Sequence, residues 1–87
     1  MNTGESDWRE AQLAPFQDRL DDDPDHRGEY LVDDGKRFKI FPDTDLSDGT
    51  PKWGLLEFDG TEWGVVDEDY ELADLMRRID DRLRATR

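Results

Sequence analysis

The sequence predicts an α+β domain: an antiparallel four-stranded meander, with an N-terminal helical segment before it and a C-terminal amphipathic helix packed on it. Three observations predict this. Residues 69–85 carry apolar side chains at helical period. Two Asp-Gly pairs, Asp34-Gly35 and Asp59-Gly60, each sit between runs of mixed apolar and polar residues, the mark of a two-residue hairpin turn. Leu13, Phe16 and Leu20 recur at helical spacing near the start. The 87 residues suffice for a single small domain, 1–87, with residues 1–5 expected to be disordered.

The helical reading of 6–22 is interrupted by Pro15. Either the proline kinks one helix or it opens a second helix over 15–22, and the second choice costs less. The run Asp21-Asp22-Asp23-Pro24-Asp25 ends any helix there, because aspartates oppose the C-terminal dipole and Pro24 disfavours helix at Asp23. In the first hairpin, Glu29–Asp33 and Lys36–Phe41 pair around Asp34-Gly35. Leu31 then lies opposite Phe38, and Tyr30 opposite Lys39. Residues 42–51 read as a loop. In the second hairpin, over 52–67, Leu56, Phe58, Trp63 and Val65 share one face, and Trp53, Leu55 and Val66 share the other. In the last helix Leu72, Leu75, Met76, Ile79 and Leu83 form one stripe, with Asp67 or Asp69 as cap. Asp74–Arg78 and Asp80–Arg84 are spaced as i,i+4 pairs. The expected core is Leu72, Leu75, Met76 and Ile79 against Leu31, Phe38, Ile40, Leu56, Phe58, Trp63 and Val65, with Phe16 and Leu20 beside it.

The charge narrows the function. There are 24 acidic and 12 basic residues, a net charge of −12, and charged residues make up 41% of the chain. DNA, RNA and anionic lipid would repel such a body. Apolar runs of two or three residues exclude a membrane span and a secretory signal. There is no Cys, which excludes disulfides, thiolate metal sites and a Cys nucleophile. Of the acids 17 are Asp, and of the bases nine are Arg; Lys36, Lys39 and Lys52 are the only lysines. This Asp-rich, Lys-poor style resembles the small acidic cytoplasmic proteins of salt-in halophilic archaea. The resemblance covers the whole chain and implies a cytoplasmic setting at molar salt. There the Debye length is about 3 Å and like charges hardly repel.

No constellation points to catalysis. His26 is the only His and neighbours Asp23 and Asp25, with Ser6 and Ser47 far off in sequence, so no triad geometry is suggested. No glycine-rich phosphate loop is present, and the chain is expected not to be an enzyme. Asp43, Asp45 and Ser47 fall at the first ligand positions of an EF-hand loop. The required glycine comes one residue late at Gly49, however, and Gly54 stands where a bidentate Glu belongs. Neither metal nor cofactor is expected, there or at Asp21, Asp22, Asp23 and Asp25. The bases gather in two places: five arginines between 77 and 87, and Lys36, Arg37 and Lys39 beside Tyr30. Helix-dipole and cross-strand pairing account for both clusters, so direct nucleic-acid binding is not expected.

A protein partner is the better expectation. Tyr30, Val32, Phe41, Trp53, Leu55 and Val66 lie on the sheet face opposite the expected core. If the helices cover only the core face, these six form an exposed, aromatic-bearing patch for a protein partner or for a second copy, as in a homodimer. If the N-terminal segment covers that face, the patch disappears. The alternative is an acidic mimic of nucleic acid that blocks a basic site on another protein. A mimic needs its carboxylates in a line on one surface, whereas salt adaptation spreads them over all faces.

Overall fold

The apolar stripe of the last helix is almost perfectly buried. In the computed structural model, which describes residues 4–85 and the side chains of 7–85, this helix is α2, Leu72–Ala85. Leu72, Leu75, Met76 and Ile79 are each at most 1% exposed, and Leu83 packs against them half-buried. The stripe lies on a sheet of five antiparallel strands in sequential order: β1 Leu20–Asp22, β2 Tyr30–Val32, β3 Phe38–Thr44, β4 Pro51–Phe58 and β5 Trp63–Asp69. A first helix, α1, spans Gly4–Leu13 and runs into a short 3-10 turn at Ala14–Phe16.

The architecture is α+β with an antiparallel meander, as expected, but it has five strands and not four. The extra strand comes from the segment read as helical over 6–22. Pro15 stands in the first turn of the 3-10 segment, where its missing N–H costs nothing. Beyond it Leu20 is extended and pairs with Val32. Of the segment 1–5, expected to be disordered, Gly4 and Glu5 open α1, and residues 1–3 lie outside the described residues. The loop at 42–51 shrinks to 45–50, because β3 runs on through Pro42. Tyr30↔Ile40 is the last pair between β2 and β3. The strand is therefore an edge at Pro42, where a proline does not interrupt a ladder.

Both helices sit on the same side of the sheet. Trp8 of α1 stacks on Trp53 of β4 at 6.1 Å between centroids and 25° between planes. The Arg9 guanidinium lies over both rings, at 5.5 and 5.2 Å, and donates to the carbonyls of Lys52 and Asp43 at 3.0 and 2.8 Å. Gln12 ties α1 to α2: its Oε1 accepts the backbone N–H of Leu72 at 2.6 Å. The start of α2 is thus capped from across the fold. Asp69 accepts the N–H of Glu71, just ahead of the helix, and both Asp67 and Asp69 bind Arg78.

The core uses a different sheet face from the one expected. Phe38, Ile40, Trp53, Leu55 and Val32 are buried beneath the helices, all at 3% exposure or less. Leu56, Phe58, Trp63 and Val65 do share one face, as expected, but that face points away from both helices. The first hairpin holds the reason. Its turn is longer than the two residues Asp34-Gly35. The chain leaves β2 after Val32, passes through left-handed conformations at Asp33 and Gly35 (φ 57° and 72°), and enters β3 at Phe38. Tyr30 consequently pairs with Ile40 and not with Lys39. A slip of one residue turns β2 over relative to β3, so Tyr30 and Val32 join Phe38 and Ile40 on the helix side.

Candidate functional site

The side of the sheet without helices carries Leu31 from β2, Phe41 from β3, Leu56 and Phe58 from β4, and Trp63 and Val65 from β5, following the two-residue period of each strand. Leu31, Phe41, Leu56, Phe58 and Trp63 are half-buried, and Val65 is 57% exposed. Phe58 and Trp63 form a cross-strand pair at 5.3 Å and 43°. Phe41 lies flat across the sheet because Gly54 is opposite. A Cβ on Gly54 would stand 2.2 Å from the Phe41 ring, closer than any side chain permits.

A buried ammonium sits on this side of the sheet, near the start of β3 and under the 23–29 loop. Lys39 Nζ is 2.9 Å from Asp23 Oδ2 and 2.9 Å from Glu29 Oε1, with the Lys39 side chain 3% exposed. It lies 4.6 Å from the centroid of the Trp63 ring, within cation–π range. Burial pushes the ammonium pKa down, but the Glu29 and Asp23 carboxylates outweigh it and leave the pKa above the usual lysine value. Lys39 in turn draws the Asp23 carboxyl down to about 2, helped by the Asp25 N–H. The 23–29 loop, with Asp23 N donating to Glu29 O at 3.0 Å, is in this way held over one end of the sheet.

The ligand atoms of Asp23, His26 and Glu29 fall within 4.8 Å of one another. These three are the residues best placed to hold a cation. The Lys39 ammonium already fills that role, and His26 Nδ1 lies 3.5 Å from it. In the 43–49 loop the Asp45 carboxylate is taken up locally. It accepts from Ser47 N and Oγ at 2.9 and 2.7 Å and from the Tyr70 hydroxyl. The Tyr70 contact comes first among the causes that hold its pKa near 2.

The six residues expected to form a partner surface are dispersed. Trp53, Leu55 and Val32 are buried in the core. Tyr30 packs half-buried against the core on the helix side. Phe41 alone is on the open face. Val66 is 41% exposed. It sits at the register shift opposite Leu55 and Leu56 and lines a groove of about 410 Å³ with Glu57, Asp59, Glu62 and Gly64. The surface expectation therefore fails for the named set, and the bare face belongs to the residues once assigned to the core. The Lys39 cluster was not anticipated, since Lys39 read as part of a basic patch with Lys36 and Arg37. The usable signal was its place between Phe38 and Ile40, because a lysine in mid-strand needs a carboxylate partner if it is buried.

Most of the described bases meet acids. Arg19 bridges Asp33 and Asp80 at 2.9 and 2.8 Å. Arg78 bridges Asp67 and Asp69 at 2.7 and 2.8 Å. Arg37 and Arg82 both reach Glu57. The i,i+4 pairs expected on α2 give way to these tertiary pairs and to Arg77–Asp74 and Arg84–Asp81 at i,i+3 spacing. Lys36 meets Asp34. Exposed acids remain on both helices and both edge strands, from Asp7 and Glu10 on α1 through Asp21 and Asp22 on β1 and Glu68 on β5 to Asp81 on α2. No helix among the described residues is long and apolar enough to cross a membrane.

No family model matches this chain, and no curated protein or solved structure is significantly similar to it.

Proposed function

We propose that the chain is a non-enzymatic interaction module, adapted to a cytoplasm at molar salt, that engages another protein through the sheet face left open by its helices. One observation carries the reading: Leu56, Phe58, Trp63 and Val65 form a continuous aromatic-bearing surface that neither α1 nor α2 covers. Aromatic surface of this kind is the composition that interfaces favour. The excess of carboxylates around it favours a partner with a basic rim over a second copy carrying the same net charge of −12. The nucleic-acid mimic is less well supported, since exposed acids stand on both helices, both edge strands and the loops, and several further acids are paired with arginine.

The test is a photo-crosslinking amino acid placed at Phe58 on the open face or at Arg77 on the far side of α2, in cells of the native host. A discrete adduct at position 58 with none at 77 is the expected result. Its mass distinguishes a second copy from a different protein. No adduct at 58, or equal adducts at both positions, would end the proposal.

A further inference from the structure

The open face meets a sheet edge without a neighbouring strand, and together they specify a mode of binding over residues 63–65; further along, the Glu68 carbonyl already accepts from Arg78 Nη2 at 3.1 Å. Resting on the interaction-module reading, we infer that the partner is captured as an added β-strand along β5, and that the captured segment alternates basic and apolar residues.

The backbone comes first. β5 is the last strand of the sheet and spans Trp63–Asp69. The other edge, β1, has three residues, two of them Asp21 and Asp22. Short, charged edges of that kind are protected against pairing. Phe58 N donates to Arg37 O at 2.8 Å, and Asp59 N donates to Glu62 O at 3.1 Å. Antiparallel ladders alternate, so Glu57 and Gly64 bond to each other across the hairpin. Trp63 and Val65 then turn their N–H and C=O groups outward. Val66, at the register shift, ends this regular stretch.

The two sides of that edge differ. On the open side stand Trp63 and the exposed Val65, beside Phe58. On the helix side lies the groove lined by Glu57, Asp59, Glu62, Gly64 and Val66. Gly64 leaves its floor bare, with no atom within 4 Å of where a Cβ would be. Glu57 already meets Arg37 and Arg82, and Asp59 accepts the Thr61 and Glu62 N–H groups. The Glu62 carboxylate has no partner among the described residues. Side chains of an added strand alternate between these two environments. One set meets Trp63 and Val65 and should be apolar. The other set meets the carboxylates and should be Lys or Arg. A second copy fits poorly, because β5 carries Asp67, Glu68 and Asp69 and no base, so two β5 strands would set acids against acids.

The probe is a capped peptide of four Lys-Val repeats, with four Glu-Val repeats as control. It is added to the full chain at the lowest KCl concentration that keeps the chain folded. Saturable binding of the Lys-Val peptide alone is expected, with hydrogen exchange at the Trp63 and Val65 amides slowed about tenfold or more while Gly64 changes little. Val65→Pro removes an outward N–H and should weaken binding about tenfold; if that variant does not fold, Glu62→Lys should weaken it instead. The inference is overturned by no binding, by binding that leaves both amides unprotected, or by equal binding of the Glu-Val peptide. A dimer in sedimentation that Val65→Pro dissolves would also overturn it. An adduct at position 58 with an untouched edge would sink the added strand and leave the open-face reading standing. Edge protection without that adduct would do the reverse.

Discussion

Trp53→Ala distinguishes the two ways in which a helix pair could cover this sheet. Had the helices covered Leu56, Phe58, Trp63 and Val65, Trp53 would be a surface residue and its loss nearly silent. In the structure it is 0% exposed, stacked on Trp8 and covered by Arg9. Truncating a buried Trp costs about 3–5 kcal/mol through lost transfer energy and an unfilled cavity. A domain of 87 residues has a total stability of roughly 4–13 kcal/mol, so this one change removes about a quarter of it or more. At about 4–8 °C per kcal/mol the midpoint should fall by more than about 12 °C. Trp63, half-buried on the open face, should cost only about 1–2 kcal/mol on the same substitution. Trp53→Phe should recover most of the loss, since it keeps a ring against Trp8. It also removes an indole N–H that is buried without a partner among the described residues. Urea melts of the four proteins at one fixed KCl concentration decide the matter. A Trp53→Ala cost below about 1 kcal/mol, or a greater cost for Trp63→Ala, would refute the face assignment.

Further outcomes are expected. Leu75→Asp should abolish the cooperative melt of the isolated chain, since Leu75 is 0% exposed and an unpaired buried charge costs several kcal/mol. Arg77→Ala, on an exposed i,i+3 pair, should cost under about 0.5 kcal/mol, and Arg78→Ala should cost more because it releases both Asp67 and Asp69. Asp23 and Asp45, held near 2, and Asp67 and Asp69, also lowered, bind protons more readily unfolded than folded. Their stabilisation is therefore complete above the usual carboxylate pKa and lost as pH falls through about 4 towards 2; melting temperatures across that window should drop, and Tyr70→Phe should raise the Asp45 pKa in a carboxyl NMR titration. Circular dichroism across a KCl series should show structure rising with salt as the net charge of −12 is screened, and calorimetry with calcium should find no micromolar site in the 43–49 loop, whose Asp45 is held by Ser47 and Tyr70.

What the sequence by itself determined was local. The α2 stripe was legible because a single helix with one apolar face has one way to bury it. The grouping of Leu56, Phe58, Trp63 and Val65 was legible because strand alternation depends only on neighbours in the chain. The choice between the two sheet faces was not legible, since both carry large apolar residues: Trp53 and Leu55 on one, Leu56 and Phe58 on the other. Tertiary contacts made that choice. The five-residue turn at 33–37 shifted β2 by one position and brought Val32 to the side of Phe38 and Ile40. Trp8 then closed over Trp53, and Gln12 capped α2 from another helix. The Lys39 cluster was decided the same way, because Asp23, Glu29 and Trp63 come together around the ammonium only after three strands and a loop have paired. Alternation along a strand sets which residues share a face; which face becomes the core depends on registers and helix contacts between segments far apart in the chain.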